Sequence, residues 1–207
     1  MDLISLVKRV SRRVDEENNT AVTVDEVKAA INDAISYWKR KKFYFNAAVS
    51  TVQTVTGSPI LSIPNGVVRV MDMSIGFNQS TYRLASVTPD HYDYSNVQAL
   101  GRPYSYTYRN GGFELYYYPD MAYNVTVRYL KDYAPLADDT DSNDFTEEGA
   151  KLIELWAIGT LFGELRPDPQ RESYAIARAE DEARQLTAMT NRMSNMRTLA
   201  NDSIAVW

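Results

Sequence analysis

The sequence contains no cysteine and a single histidine, and these two shortages exclude much of the chemistry open to a chain of this size. Without cysteine there are no disulfides, no thiolate zinc site and no cysteine nucleophile. The sole histidine, His91, accompanies no G-x-S-x-G, HExxH, Walker-type or glycine-rich nucleotide motif. We therefore expect a protein that is not an enzyme and that needs no cofactor and no metal ion.

Long apolar runs and an excess of positive charge are missing as well. No stretch of about 18 consecutive apolar residues occurs, so we expect no membrane-spanning helix. The 207-residue chain has a formal net charge of −5, whereas a protein whose main task is to grip DNA normally presents a basic face. The balance of charge favours other proteins as the main partners.

An acidic stretch at residues 138–145, DDTDSNDF, is the one candidate for a cation site. Its carboxylates come from Asp138, Asp139, Asp141 and Asp144. The glycine and the terminal bidentate glutamate of an EF-hand loop are absent. We interpret the stretch as a solvated acidic linker.

Residues 1–45 carry two amphipathic helical patterns. The apolar positions of the first are Leu3, Leu6, Val7, Val10 and Val14, with Lys8, Arg9, Arg12 and Arg13 on the other side. Thr23 and Glu26 have the spacing of a capping box. The apolar stripe that follows comprises Val24, Val27, Ile31, Ala34, Ile35 and Trp38. Two helices, each with one buried face, are predicted here.

A dense basic run, Lys39, Arg40, Lys41 and Lys42, follows the second helical pattern. Cations near a helix C-terminus complement the negative end of its dipole, which is sufficient to explain the run. The alternative is a contact with DNA phosphates or with an acidic neighbouring subunit. Both interpretations stay open on sequence grounds.

Residues 46–137 change to a period near two, which predicts short strands. The strand candidates are AAVSTVQTV, PILSIP, VVRVMDMSI, STYRLASV, YSYTYR, FELYYYP and NVTVRYL. Turn signals separate them, among them Asn78-Gln79-Ser80. Thr88 to Val97 is predicted to form a short helix. Seven short strands in this span favour an antiparallel β-sandwich or barrel-like domain.

The stretch PYSYTYRNGGFELYYYPD at residues 103–120 is dense in tyrosine and predicts a hairpin turning at Asn110-Gly111. The candidate contact residues are Tyr104, Tyr106 and Tyr108 on one strand and Tyr116 and Tyr118 on the other. Cross-strand aromatic pairs favour packing or a contact with a subunit or tail protein. Stacking with nucleic-acid bases is disfavoured because only Arg102 and Arg109 lie nearby.

Residues 146–200 are helical again. Thr146 is predicted to cap an apolar helix, which carries the G-x-x-x-G spacing of Gly159 and Gly163 and forms the buried centre. A break at 166–169 precedes a long helix, roughly 170–198. Met189, Met193 and Met196 on this helix are expected to pack in the core, and an adaptable interface is the alternative. The fold predicted is α+β: a helical bundle of residues 1–45 and 146–200, an inserted antiparallel β-sandwich or barrel-like domain at 46–137, and a tail at 201–207.

The tail NDSIAVW ends in the apolar residues Ile204, Val206 and Trp207. A tryptophan that docks into a groove of a partner can be a binding hot spot. Folding back onto the helices of its own chain is the alternative.

In this arrangement the chain resembles the head-to-tail adaptors of tailed bacteriophages, also called tail accessory factors or tail tubular protein A. The segments that carry the resemblance are AINDAISYWKRKKFYFNAAVSTVQTV, SIPNGVVRVMDM, FELYYYPDMAYNVTVRYLKDYAPL and EEGAKLIELWAIGTLFGEL, followed by the long last helix. Together they cover most of the chain.

The resemblance implies a virion protein at the head–tail junction, a ring that is usually of twelve copies, seated beneath the portal protein. It implies contacts with tail tube, nozzle or fibre proteins, viral DNA that passes through the centre without sequence-specific binding, no membrane, and a C-terminal segment directed to the portal. By position, that segment holds Ile204, Val206 and Trp207. Two other classes stay open: a carbohydrate- or receptor-binding module that uses the tyrosine hairpin, and a peptidoglycan hydrolase that uses Asp93 or Glu114.

Overall fold

The computed structural model of the protein describes residues 1–15, 22–90, 99–109, 111–165 and 167–202, with side-chain surroundings up to residue 194. The chain divides into two compact units, Met1–Asn46 with Tyr133–Trp207, and Ala47–Asp132. The described helices longer than a turn lie in the first unit and the sheets in the second. The expected combination of helices with mainly antiparallel sheets is confirmed.

The helical unit contains α1 (Leu3–Asp15), α2 (Val24–Trp38), α3 (Asp144–Glu147), α4 (Ala150–Glu164) and α5 (Pro169–Asp202). Helix α4 packs against each of the other four. Its buried apolar residues are Leu152, Ile153, Leu155, Ala157, Ile158, Leu161 and Phe162. A helix apolar around most of its circumference has to be enclosed, so α4 forms the centre of this unit, as predicted.

The start of α2 matches its prediction, and the start of α4 does not. The Thr23 Oγ1 accepts from the Glu26 amide at 3.3 Å, and Glu26 Oε2 accepts from the Thr23 amide at 2.8 Å. Val24, in the first turn, is 50% exposed and does not belong to the buried stripe.

The predicted Thr146 cap is wrong, because Asn143 caps the separate turn α3 and Thr146 is buried as its third residue. Helix α4 begins only at Ala150.

The acidic stretch is more than the solvated linker that the sequence predicted. The amides of Leu3 and Ile4 donate to the carbonyls of Asp141 (2.9 Å) and Asp139 (3.1 Å), which satisfies the first N–H groups of α1. Hydrogen bonds from the backbone amides of Ala137 and Asp138 lower the pKa of Asp141. The stretch is therefore an ordered part of the helical unit.

The described residues of the sheet unit form ten strands: β1 (Ala47–Gln53), β2 (Ile60–Leu61), β3 (Val67–Phe77), β4 (Ser80–Arg83), β5 (Ala85–Ser86), β6 (Leu100–Gly101), β7 (Ser105–Arg109), β8 (Gly112–Tyr116), β9 (Tyr118–Pro119) and β10 (Asn124–Lys131). Two four-stranded sheets have the orders β1-β10-β3-β4 and β2-β8-β7-β5, and β6 pairs with β9. The β5–β7 and β6–β9 pairs are parallel and the other pairs antiparallel.

Both four-stranded sheets contribute side chains to one core. The buried residues of that core are Leu61, Met73, Ile75, Leu84, Tyr106, Leu115, Tyr123, Val125 and Val127. The seven predicted strand segments each contain a strand, whereas β6 was not predicted, since two residues give no alternating pattern. Most of the predicted helix from Thr88 to Val97 lies outside the described residues.

Candidate interaction surfaces

The basic run forms a fixed turn directly after α2. The Lys39 amide donates to the Ile35 carbonyl at 2.9 Å and ends the helix. The buried Asn46 then fastens the turn, since its Oδ1 accepts from the Phe43 amide at 2.8 Å and its Nδ2 donates to the Lys41 carbonyl at 2.8 Å. The backbone of the basic run is thus held in place; Lys39 is half-buried, whereas Arg40, Lys41 and Lys42 are exposed.

Aromatic side chains continue the surface of this turn. Tyr37, 56% exposed, stacks on Trp156 with ring centroids 4.3 Å apart. Trp38 packs edge-on against Trp156 at 5.1 Å, and the Lys41 Nζ lies 5.3 Å from the Trp38 ring. We call Tyr37, Arg40, Lys41, Lys42 and Trp156 the basic-aromatic patch. Sequence reasoning missed Tyr37 and Trp156, because a helical pattern does not show which rings of two different helices meet.

The other end of α2 is acidic. Lys28 Nζ lies 2.8 Å from Asp139 Oδ1. The hydrogen bond to Asp139 raises the pKa of Lys28 against the opposing effect of burial, and the nearby carboxylates of Asp25 and Asp138 raise it further. Asp25, Asp138 and Asp139 are all exposed. We call these three carboxylates the acidic end; only the tertiary structure brings Asp25 close to the other two.

A charged group also lies inside the helical core. The Glu154 side chain on α4 is 1% exposed, and both Arg9 and Arg13 of α1 contact its carboxylate. The sequence placed these arginines on the solvent side of α1. They are half exposed, and their guanidinium groups reach the core because α1 packs directly on α4.

The tyrosine hairpin divides into buried and exposed residues. Tyr106 and Tyr116 are only 7% and 8% exposed, so they pack within the chain. Strand β7 is buried on both faces over its first three residues, since Ser105 and Thr107 are buried too, and face alternation alone could not reveal this. Tyr118 is half-buried. Asn110, in the predicted turn, lies outside the described residues.

Tyr104 and Tyr108 are the exposed tyrosines of this hairpin strand, at 47% and 59%. Partial burial, followed by a hydrogen bond with Tyr116, raises the pKa of Tyr104 to about 12.

Tyr117 breaks the predicted alternation, because its φ of 67° turns the chain between β8 and β9. Arg102, considered as a contact for bases, lies over the Tyr82 ring at 4.0 Å.

A groove of about 600 Å³ borders the hairpin within the sheet unit. Its lining includes residues 63–70 with the rings of Tyr106, Tyr108 and Phe113. Tyr108 and Phe113 lie 5.0 Å apart, between ring centroids. The groove has the size of a small-ligand site. Its lining combines polar and apolar surface, with Arg69 as its charged residue.

The long helix α5 passes beyond the core of the helical unit. Its last described buried residue is Thr190, while Met189 and Met193 are 43% and 40% exposed. The prediction that these two methionines pack in the core was wrong: Met189 is exposed beside the buried Thr190, and Met193 follows the last described buried residue of α5. The side-chain surroundings of Met196 lie outside the described part of the chain.

Other predicted positions fall outside the described residues, namely His91, Asp93, Ile204, Val206 and Trp207. Within the described ranges, no group of three or more histidine or acidic side chains is placed to hold a metal ion. None of the described helices is both long and apolar enough to cross a membrane.

Comparison with known protein families gives a match to one family model, described as SU10 adaptor protein. It covers residues 1–203 and therefore spans the helical unit and the sheet unit alike. No curated protein matches the chain.

Proposed function

The chain belongs to the SU10 adaptor protein family, and we propose that it assembles into a ring that joins the portal of a phage head to the tail. Membership confirms the resemblance to phage head-to-tail adaptors and identifies a structural adaptor of the virion. The portal contact, the ring and the passage of DNA through its centre are our proposal.

The observation that carries the proposal is the family match over residues 1–203. The exposed side chains support it, since tyrosine, tryptophan, methionine and arginine are the residues enriched at protein interfaces. Such residues are exposed or half-exposed in both units: Tyr37, Tyr104, Tyr108, Tyr174, Met189 and Met193. A protein that works by contacting several partners needs this kind of surface.

The proposal divides the work between parts of the chain. Residues 1–45 and 146–200, as one helical bundle, contact the portal and neighbouring copies. The inserted β-sandwich or barrel-like domain at 46–137 reaches the tail proteins through Tyr104 and Tyr108. The tail residues Ile204, Val206 and Trp207 dock on the portal, with Trp207 as the anchoring side chain.

Viral DNA passes through the ring without sequence-specific contacts in this proposal. The net charge of −5 supports it, since an acidic wall repels DNA weakly and a basic wall would retard it. The ring would usually hold twelve copies, as in the adaptors that the sequence resembles.

Sedimentation of the chain with portal-bearing heads of its phage tests the proposal. We expect the full chain to sediment with the heads, a variant ending at residue 200 to remain in the supernatant, and Trp207→Ala to bind more weakly. Ser203→Ala is the matched control within the tail and should bind like the parent. Failure of the full chain to bind would overturn the portal contact; binding by the truncated chain would overturn the role of the tail alone.

The groove beside the hairpin favours one second candidate, a carbohydrate-binding module. Exposed aromatic rings can support a sugar face, and Tyr108 together with Phe113 supplies two rings at the groove. A glycan array probed with the full chain tests this, with Tyr108→Ala expected to abolish binding and Tyr104→Ala, outside the groove lining, expected to retain it. Binding to no glycan removes this candidate.

The hydrolase alternative has less structural support. Glu114 is a half-buried residue of β8, while Asp93 lies outside the described residues. Family membership implies a structural role instead. Release of muropeptides from peptidoglycan by the parent chain, lost in Glu114→Ala, would revive the alternative.

A further inference from the structure

Helix α2 carries opposite charges at its two ends, and both are exposed. We propose that the basic-aromatic patch of one copy binds the acidic end of the next copy, so that neighbouring subunits join head to tail. This inference rests on the proposed ring and names the contact that would build it. It assigns the basic run to a neighbouring subunit rather than to DNA.

The geometry favours a contact between copies over one within a copy. Ten residues separate Lys28, at the centre of the acidic end, from Trp38, and ten residues of α-helix span about 15 Å. The two surfaces therefore cannot neutralise each other in one chain. A contact between two different surfaces is heterologous, and a repeated heterologous contact closes a ring when the rotation allows it.

The charges of the two surfaces are complementary. The patch presents Arg40, Lys41 and Lys42, and the acidic end presents Asp25, Asp138 and Asp139 around Lys28. Individual exposed ion pairs contribute little, so several pairs together with an apolar anchor are needed for a stable contact. The stacked rings of Tyr37 and Trp156 provide that anchor beside the cations.

The surroundings of the basic run favour a protein partner over DNA. Glu148 lies beside the turn, where its Oε2 accepts from the Tyr44 hydroxyl at 2.6 Å. That carboxylate repels phosphates and partner carboxylates alike, so it favours neither partner. Tight non-specific binding of DNA needs several neutralised phosphates, and the patch presents three cations. Arginine and aromatic side chains together are typical of the centre of protein interfaces.

Charge reversal at each end separately tests the contact. In variant A, Arg40→Glu/Lys41→Glu/Lys42→Glu, the basic-aromatic patch becomes acidic. In variant B, Asp138→Lys/Asp139→Lys, the acidic end becomes basic. We expect neither variant to associate with itself. An equal mixture should associate again, because copies of A and B that alternate always place opposite charges against each other. Arg83→Glu/Arg128→Glu, on exposed positions of the sheet unit, is the control, and circular dichroism verifies that each variant is folded.

Zero-length carbodiimide cross-linking between unlabelled and ¹⁵N-labelled chains provides the readout, with and without portal-bearing heads. For the parent we expect light–heavy peptides that join Lys41 or Lys42 to Asp138 or Asp139. The yield of light–heavy cross-links should fall about tenfold or more in A alone and in B alone, because like charges then face each other. In the mixture, cross-links between the new glutamates and the new lysines should appear.

The outcomes separate this inference from the proposed function. Head binding by the parent without these cross-links, or association of A with itself, overturns the head-to-tail contact and leaves the adaptor role intact. Cross-links without head binding support the contact and overturn the portal proposal. If A loses affinity for a 40-base-pair duplex while its association is unchanged, the patch is a DNA contact and the inference is wrong. Absence of both head binding and cross-links overturns both.

Discussion

Arg9 on α1 reaches the buried carboxylate of Glu154 on α4, with 2.6 Å between its Nη2 and Glu154 Oε2. Arg13, one turn further along α1, makes a second contact of 3.0 Å between its Nε and Oε1. The Glu154 side chain is 1% exposed, while the two arginines are 49% and 54% exposed. The core tolerates this carboxylate because α1 supplies two opposite charges, so the ion pairs fix α1 on α4.

Removal of both guanidinium groups should destabilise the helical unit. Arg9→Met/Arg13→Met leaves an unpaired buried carboxylate, so we expect the free energy of unfolding to fall by about 3–5 kcal/mol. Urea unfolding followed by circular dichroism at 222 nm measures this. Lys8→Met, at an exposed position of the same helix, is the control and should change little. Adding Glu154→Met to the double variant should restore most of the loss; no restoration would contradict the ion-pair account.

Gly159 on α4 is predicted to resist enlargement. A Cβ at this position would lie 2.6 Å from Ile176 Cδ1 and 2.8 Å from its Cγ1 on α5. Overpacking of this kind costs about 1–3 kcal/mol, which the higher helix propensity of alanine offsets by about 1 kcal/mol. Gly159→Ala should therefore lower the unfolding free energy modestly, measured by the midpoint of urea unfolding.

Shortening Ile176 provides the control for this steric explanation. Gly159→Ala/Ile176→Ala removes the atoms that the new methyl group would meet, so the effect of Gly159→Ala should vanish or change sign in that background. Equal effects of Gly159→Ala in both backgrounds would show that close packing against Ile176 does not cause the loss of stability.

Tyr133 should make the helical unit sensitive to alkaline pH. Its hydroxyl donates to Asp144 Oδ2 at 2.5 Å, and burial, followed by this hydrogen bond, raises the pKa of Tyr133. In the unfolded chain a tyrosine loses its proton near pH 10. In the folded protein, Tyr133 keeps its proton to higher pH. Its contribution to the free energy of unfolding is therefore complete below about pH 10 and is lost as the pH rises further.

Tyr133→Phe should therefore cost about 1.5–3 kcal/mol at pH 7, the range for a hydrogen bond to a charged group. The difference from the parent should shrink between pH 10 and pH 12. Tyr44→Phe is the comparison, since burial and a hydrogen bond to Glu148 raise the pKa of Tyr44 to about 12. Its effect should be smaller, because Tyr44 is the more exposed residue. A constant Tyr133→Phe difference at all pH values would refute the linkage.

The turn between β3 and β4 offers a stabilising substitution. Asn78 and Gln79 both have positive φ, 46° and 62°, a conformation that glutamine adopts only with strain. Gln79→Gly creates the Asn-Gly pair that such hairpin turns prefer. We expect the midpoint of thermal unfolding of the sheet unit to rise, with a gain of about 0.5–1 kcal/mol. Gln79→Ala keeps the Cβ and should give no gain; a decrease with glycine would contradict the strain.

The sequence predicted the helices and most strands because those patterns are local. The apolar spacing of Leu3, Leu6, Val7, Val10 and Val14 predicted a buried face of α1, and all five are buried. The capping box of α2 followed from two residues three positions apart. The boundary at Thr146 was missed because Asn143 accepts from the Phe145 and Thr146 amides and so caps a separate turn that contains Thr146.

The candidate surfaces were less predictable, since they depend on which elements meet. Tyr106 and Tyr108 have the same spacing and residue type, yet one is 7% and the other 59% exposed, because Tyr106 packs in the core of the sheet unit and Tyr108 does not. In the sequence, Glu154 is a polar residue within a mainly apolar helix. The residues around it do not indicate that two arginines of another helix contact its carboxylate.

By itself the sequence determined the type and order of the longer helices and of most strands, because periodicity and capping act over a few residues. Its composition excluded cysteine chemistry, and its segments gave the likeness to the adaptor family. Only the tertiary structure decided which charges and rings share a surface: Tyr37 with Trp156, Asp25 with Asp138 and Asp139, Arg9 with Glu154. Those contacts join residues far apart in the chain, and their distances depend on how helices and sheets pack.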